Sequence, residues 1–316
     1  MLQPEAPALA RFGDGRGARL GLWDGNGWRD LSPHTLASLL GHPLDQIRTV
    51  IDDSAGLPRL DVTRLHLLAP ADLQEVWAAG VTYLRSRDAR IDESGVKDVY
   101  ARVYEADRPE LFFKAAGWRV VADGGDVGVR PDSSWDVPEP ELAVLSNARG
   151  EVVAYACGND MSSRSIEGEN PLYLPQAKVY DRSCALGPVA VLSWECETSA
   201  AEIRMSIERE GVEVFSGSAS TADMVRRPEE LVAVLHAAYE LPAGAWLLTG
   251  TGVVPPAPYT ARSGDLVQIR IAGLGELRNR VTEVRHSGAV APPRIGDAAI
   301  RAGKRARVSG AAQVPR

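Results

Sequence analysis

The densest chemistry in this 316-residue chain lies in one short run, Trp135-Asp136-Val137-Pro138-Glu139-Pro140-Glu141-Leu142-Ala143-Val144. In an extended strand, side chains two residues apart share a face, so Glu139 and Glu141 project side by side. Adjacent carboxylates repel, burial aggravates the repulsion, and a site that keeps both usually supplies a cation. Pro138 and Pro140 cannot donate ladder hydrogen bonds, which puts the run at a sheet edge or a strand entrance, where a cleft can open. Past a turn at Asn147 to Gly150 comes Cys157-Gly158-Asn159-Asp160. An antiparallel return carries Asp160 back towards the two glutamates. Three carboxylates with no imidazole nearby suit a hard cation: Mg2+, with Mn2+ or Ca2+ as the other candidates. The five histidines (His34, His42, His66, His236 and His286) stand far from the run, which argues against zinc. The competing reading is a solvated edge face with Asp160 capping a turn. Spacing by itself favours that reading, because short motifs recur by chance.

Holding these groups in place takes strands. Val152-Val153-Ala154-Tyr155 follows the turn, and Ile203, Met205 and Ile207 alternate with Arg204, Ser206 and Glu208 before Gly211 returns the chain to Val212 and Val214. Val267, Ile269 and Ile271 alternate with Gln268 and Arg270. This period of two marks half-buried strands. One helix is plain: Pro228 opens it, Glu229 and Glu230 suit its positive end, and Leu231, Val234, Leu235 and Ala238 share a face. Nearer the N-terminus, Leu20 and Leu22 lead into Asp24-Gly25-Asn26-Gly27, a hairpin signal. Ser32 and Pro33 read as the N-cap and first residue of a helix that ends at Gly41, and Leu44, Ile47 and Ile51 as a second short helix. Many strands and few helices predict an α+β, mostly β fold. The expected division is a small N-terminal α/β domain over residues 1–65, a catalytic domain over 66–289 and a basic, disordered tail over 290–316.

Composition narrows the partners. Hydrophobic residues at 45% and charged residues at 24% are ordinary for a globular protein and exclude collagen, coiled coil and wholesale disorder. No run approaches the roughly 20 apolar residues that span a bilayer, and the N-terminus lacks a basic segment followed by an apolar one. Cys157, Cys184 and Cys196 form no C-x-x-C, so a reduced, cytoplasmic setting is expected. Cys157 and Cys184 read as small buried hydrophobes with no histidine beside them to activate a thiolate. Beyond Val290 six Lys or Arg face one Asp, a local +5 that leaves −12 on the rest of a chain whose formal charge is −7. That balance speaks against nucleic acid or a membrane surface as a partner of the folded body.

From Trp77 to about Val284 the chain resembles the fumarylacetoacetate hydrolase superfamily. The resemblance rests on Ala79-Gly80-Val81-Thr82-Tyr83, Leu111-Phe112-Phe113-Lys114, Pro138-Glu139-Pro140-Glu141-Leu142-Ala143-Val144, Gly158-Asn159-Asp160-Met161-Ser162-Ser163-Arg164, Gln176-Ala177-Lys178 and Leu248-Thr249-Gly250-Thr251-Gly252. Their order and spacing span about two-thirds of the chain. Within the superfamily, Tyr104-Glu105-Ala106-Asp107-Arg108-Pro109-Glu110 and the segment from Ile166 to Tyr180 look most like the 2-keto-3-deoxy-D-arabinonate dehydratases. The resemblance implies a compact mixed-β catalytic domain, a homodimer or homotetramer, and Mg2+ held by Glu139, Glu141 and Asp160. Lys178 and Glu110 would be the reacting side chains. Hydrolases of the superfamily carry a water-activating histidine three residues after the tyrosine of the first loop; here that position is Ser86, so elimination is expected in place of hydrolysis.

The implied reaction is Mg2+-dependent dehydration of a 2-keto-3-deoxy sugar acid, such as 2-keto-3-deoxy-D-arabinonate going to 2,5-dioxopentanoate and water. The C3 proton is abstracted, the cation stabilises the enolate, and the C4 hydroxyl departs. Carbon–carbon hydrolysis or decarboxylation of a diketo or oxo-diacid is the alternative. Weaker expectations concern substrate binding. Arg164 either meets the substrate carboxylate or forms a structural ion pair, and Thr251 either binds that carboxylate or shapes a tight turn. Arg85 would reach the distal end of the substrate from a lid loop, Glu167 would face the pocket, and Phe113 would be wall or core. Lys114 would serve fold or site.

Overall fold

The computed structural model describes residues 3–15, 17–84 and 103–285. The part before residue 85 supplies β1 (Ala8–Gly13), β2 (Ala18–Trp23), β3 (Trp28–Asp30), α1 (Leu36–Leu40), α2 (Leu44–Asp52), β4 (His66–Leu68) and β5 (Glu75–Gly80). After it come β6 (Glu110–Ala116), β7 (Asp126–Val129), β8 (Asp136–Val137), β9 (Pro140–Ser146), β10 (Val152–Asp160), β11 (Ser162–Ser163), α3 (Arg164–Glu169), α4 (Leu174–Lys178) and β12 (Cys184–Leu192). The chain continues through β13 (Glu202–Arg209), β14 (Val212–Ser220), α5 (Pro228–His236), β15 (Ala245–Leu248), β16 (Leu266–Ile271) and β17 (Gly275–Glu283).

Strands dominate, as the period of two requires. One large sheet runs β3-β2-β1-β12-β10-β9-β15-β5-β6, with β4 added on β1, and a five-stranded sheet runs β14-β13-β16-β17-β7. The strands of the large sheet are apolar on both faces, so each face has its own core. Leu142, Val144, Tyr155 and Val189 pack with Ile203, Met205, Ile269 and Leu277 of the second sheet. On the opposite face Leu9, Leu22, Ala143, Leu145 and Trp246 pack with Leu36, Leu39 and Ile47 of the two N-terminal helices. The N-terminal residues expected as a small domain join the large sheet directly, because β1 pairs antiparallel with β12, and residues up to Val284 form one compact unit. The tail expected over 290–316 lies outside the described residues.

Local signals held with two adjustments. The hairpin at Asp24 to Gly27 forms, with Trp23 paired to Trp28. The first helix starts later than Ser32 and Pro33 predict. Asp30 accepts from both the N–H and the hydroxyl of Ser32 and turns the chain there, and Thr35 caps the helix by accepting from Ser38 N–H. In α5, Val232 is buried in place of Val234, and Ala238 lies exposed beyond the helix end at His236.

Candidate active site

The site forms where β9 begins and β10 ends. The hairpin register sets Gly158 against Glu141 and Asn159 against Pro140. Beyond it Glu139 and Asp160 exchange backbone hydrogen bonds of 3.2 and 2.9 Å, so the antiparallel return delivers Asp160 directly opposite Glu139. Pro140 is the first residue of its strand, at the entrance and not at an edge, since β9 lies between β10 and β15. The two glutamates and the aspartate are buried, and one oxygen from each lies within 4.8 Å of the others. The solvated-edge alternative is therefore set aside.

Three buried cations surround these acids. Lys178, at the end of α4, donates from Nζ to Glu139 Oε2 at 2.6 Å, Asp160 Oδ2 at 2.9 Å and Ser162 Oγ at 2.6 Å. That is the full donor complement of an ammonium group. Lys114 Nζ stands 2.5 Å from Asp160 Oδ1. Arg164, the first residue of α3, donates to Glu139 Oε1 at 2.5 Å and lies 3.6 Å from Glu167. Glu141 receives the backbone N–H of Gly250 at 2.6 Å. With Glu167 also buried, four buried acids oppose three buried cations, so the set keeps a net negative charge. Burial, then Asp160 and Glu139, push the Glu141 carboxyl well above its ordinary range, the behaviour of a carboxylate short of positive charge.

The donor set fits a divalent ion. An ionised carboxylate offers about four lone-pair positions, so the lysines and arginine leave acceptor capacity on each acid. The cavity among Glu139, Glu141, Asp160, Lys178, Glu110 and Phe112 measures about 20 Å3, which matches one ion or water. All-oxygen ligation with no histidine is the choice of Mg2+, Mn2+ or Ca2+.

The remaining expected residues divide. Glu110 opens β6 opposite Gly80, and only the missing Cβ of Gly80 lets its carboxylate lie there, since a Cβ would come within 2.0 Å of Glu110 Oε2. Glu167 and Thr251 line the same cavity. The Thr251 hydroxyl closes a turn with Val253, accepting its N–H and donating to its carbonyl at 3.1 Å. Arg164 makes the structural ion pair. Phe113 needs correction: it is 37% exposed and stacks edge-on against Trp77 at 5.9 Å, while Phe112 lines the cavity, its ring 5.8 Å from Lys178 Nζ. Strand alternation explains the swap, because Glu110 and Phe112 share one face of β6 and Leu111 and Phe113 take the other. Arg85 lies outside the described residues. Ser162 and the Gly250 N–H had not been singled out. Ser162 sits two residues beyond Asp160, a period-of-two signal, whereas nothing local marks Gly250 as a partner of Glu141.

Comparisons with known proteins give the chain a family. The sequence model of the family described as fumarylacetoacetate (FAA) hydrolase, C-terminal, matches residues 76–282. A Haloferax volcanii protein described as a probable 2-keto-3-deoxyxylonate dehydratase is 47% identical over 250 residues, 79% of this chain and 86% of that protein. The 2-dehydro-3-deoxy-D-arabinonate dehydratase of Saccharolobus solfataricus is 39% identical over 242 residues, 75% of this chain and 81% of that one. A solved structure of 2-keto-3-deoxy-D-arabinonate dehydratase complexed with magnesium and 2,5-dioxopentanoate superposes with a TM-score of 0.77 at 32% identity, covering 88% of this chain and 99% of that chain.

Proposed function

This chain belongs to the fumarylacetoacetate hydrolase family, and on that premise we propose that it is a Mg2+-dependent hydro-lyase acting on 2-keto-3-deoxy sugar acids, 2-keto-3-deoxy-D-arabinonate foremost. The observation that carries this reading is the buried triad of Glu139, Glu141 and Asp160 with Lys178 Nζ hydrogen-bonded to two of its members. Relatives named as dehydratases of such acids, and one solved with magnesium and a dioxo product, support it.

Glu139, Glu141 and Asp160 would hold the ion. When bound, Mg2+ supplies Lewis-acid polarisation of the 2-keto group, which acidifies the C3 protons. With an ion held by the three acids, the buried charge would be net positive, which suits a substrate that carries a carboxylate. Lys178 carries the C3 proton: its Nζ lies in the cavity and donates to Glu139 and Asp160, and once one of its protons has passed to such a carboxylate the neutral amine takes the proton from C3. Glu110, across the cavity over Gly80, gives a proton to the departing C4 hydroxyl, so water leaves and a C3=C4 double bond forms. Loss of one C5 proton and of the C5 hydroxyl proton, with protonation at C3 and C4, then yields 2,5-dioxopentanoate. Positioned acid and base groups of this kind are worth about 10²–10⁴-fold each. Arg164 holds Glu139 and Glu167 in place, and Thr251 and Glu167 contact the substrate. Assembly as a homodimer or homotetramer and a cytoplasmic setting complete the proposal.

The test is product analysis. Purified protein incubated with 2-keto-3-deoxy-D-arabinonate is expected to give 2,5-dioxopentanoate, seen by NMR as an aldehyde on an intact five-carbon chain, only when Mg2+ is present. Shortened carbon chains from diketo or oxo-diacids, with no dehydration, would assign it to the family's hydrolase or decarboxylase chemistry.

A further inference from the structure

Lys114 is the one side chain of the buried cluster to which neither the proposed reaction nor the ion gives a task. It is 0% exposed and sits at a bulge of β6, between Phe113 paired to Trp77 and Ala115 paired to Val76. Its ammonium meets three oxygens: it donates to the Met161 carbonyl at 2.9 Å and the Lys178 carbonyl at 2.5 Å, and it forms an ion pair with Asp160 Oδ1 at 2.5 Å. The Tyr180 ring lies 5.8 Å away. Burying an ammonium is costly, and an apolar side chain of similar volume fills such a space at no such cost. The three oxygens come from two separate segments, the end of β10 with the residue that follows, and the end of α4. Asp160 thus carries a lysine on each oxygen, Lys114 on Oδ1 and Lys178 on Oδ2, and Lys114 also grips the main chain that bears Lys178.

We infer that Lys114 is a positioning residue for the proposed dehydration, an inference that rests on the reading above. Its ammonium fixes the Asp160 carboxylate and the backbone of Lys178 relative to one another, so the ion site and the proton-carrying amine keep a common geometry. Substrate does not meet it; it acts through its two partners.

Charge and position predict opposite results. If Lys114 only balanced charge, Lys114→Met would leave the acids more negative and tighten Mg2+ binding. As a positioning residue, its loss weakens Mg2+ binding by about 10–100-fold, the range for groups that orient metal ligands. Isothermal titration of the metal-free protein with Mg2+ reads this directly, and thermal melting in EDTA reports the fold separately. At saturating Mg2+, kcat falls more than KM for the keto acid rises. Lys114→Arg, which keeps charge and several donors, recovers part of both losses. A second measurement needs no Lys114 variant. The chain has four lysines, Lys97, Lys114, Lys178 and Lys304, so lysine ¹³Cε signals can be assigned by elimination with Lys97→Arg, Lys304→Arg and Lys178→Met. Mg2+ is expected to shift the Lys114 signal together with that of Lys178. A folded Lys114→Met protein that binds Mg2+ as tightly as the wild type or tighter, or a Lys114 signal indifferent to Mg2+ while Lys178 responds, overturns the inference alone. A wild type that neither binds Mg2+ nor dehydrates the keto acid takes the dehydratase reading down with it.

Discussion

Lys178 is where the chemistry is most exposed to test. Its amine is the group that must carry the C3 proton if the account holds, and Glu110 acts only on the oxygen that leaves. Lys178→Ala should therefore abolish exchange of the C3 protons with D2O, measured by loss of the ¹H signal, as well as dehydration. Glu110→Gln should slow dehydration by about 10²–10⁴-fold while leaving C3 exchange in place. Exchange that persists in Lys178→Ala would hand the base role to Glu110. Residue types made the acids legible: two glutamates two apart, a downstream aspartate and a resemblance that named the lysine. Phe113 shows the limit. Adjacent phenylalanines are chemically alike, and only the strand's phase, fixed by pairing with β5, decides that Phe112 faces the cavity. The thiols behave as composition suggested: burial pushes Cys157 and Cys184 up to about 12, so neither is a nucleophile near neutrality.

Elements supply what no single residue could. β9 and β10 bring Asp160 opposite Glu139 through an antiparallel register that a bulge between Val152 and Ala154 shifts by one residue. That the two ends meet follows from turn and alternation, while the bulge sets which residues pair. The loop after β15 does not. Gly250 has φ +89°, a Cβ there would come within 2.1 Å of Thr82 Oγ1, and its N–H is the donor on Glu141. Thr82 in turn donates to the Thr249 carbonyl at 2.6 Å, so two loops lock together over the acids. Glycine is required for both conformation and space, yet the sequence shows only a Gly/Thr-rich turn. Gly250→Ala is expected to lower stability by about 1–3 kcal/mol for the left-handed backbone, more if Thr82 cannot yield. It should also weaken Mg2+ binding, because Glu141 loses its aim. Thermal melting and Mg2+ titration on the same preparation check both effects, and an unchanged Mg2+ affinity would detach Glu141's geometry from this loop.

Across the whole molecule, the large sheet buries both faces and leaves the acids at the ends of its central strands, so stability and site share one scaffold. Among the described residues no helix is long and apolar enough to cross a membrane. The pairing of β1 with β12 could not be read from sequence, because a hairpin signal says where a strand turns and not which distant strand it joins. Buried carboxylates outside the site make stability depend on pH. Burial raises the Asp136 carboxyl from 3.8 to about 6. Below about pH 4 folded and unfolded chains both hold this proton; between about 4 and 6 only the folded chain does; above 6 the folded carboxylate carries the full cost of burial. Asp136→Asn should thus match the wild type at pH 4 and be more stable at pH 7 by on the order of 1–3 kcal/mol. Urea unfolding at the two values measures it, and an equal gain at both would point to another cause.

The central claim is that three buried carboxylates hold one divalent ion beside a lysine. Crystals of the metal-free protein soaked in Mn2+ and measured at the manganese edge test it most directly. The account predicts a single anomalous peak within ligand distance of Glu139, Glu141 and Asp160, lost in Glu141→Gln or Asp160→Asn. No peak at that position, with Lys178, Lys114 and Arg164 still the only cations on Glu139 and Asp160, would contradict it.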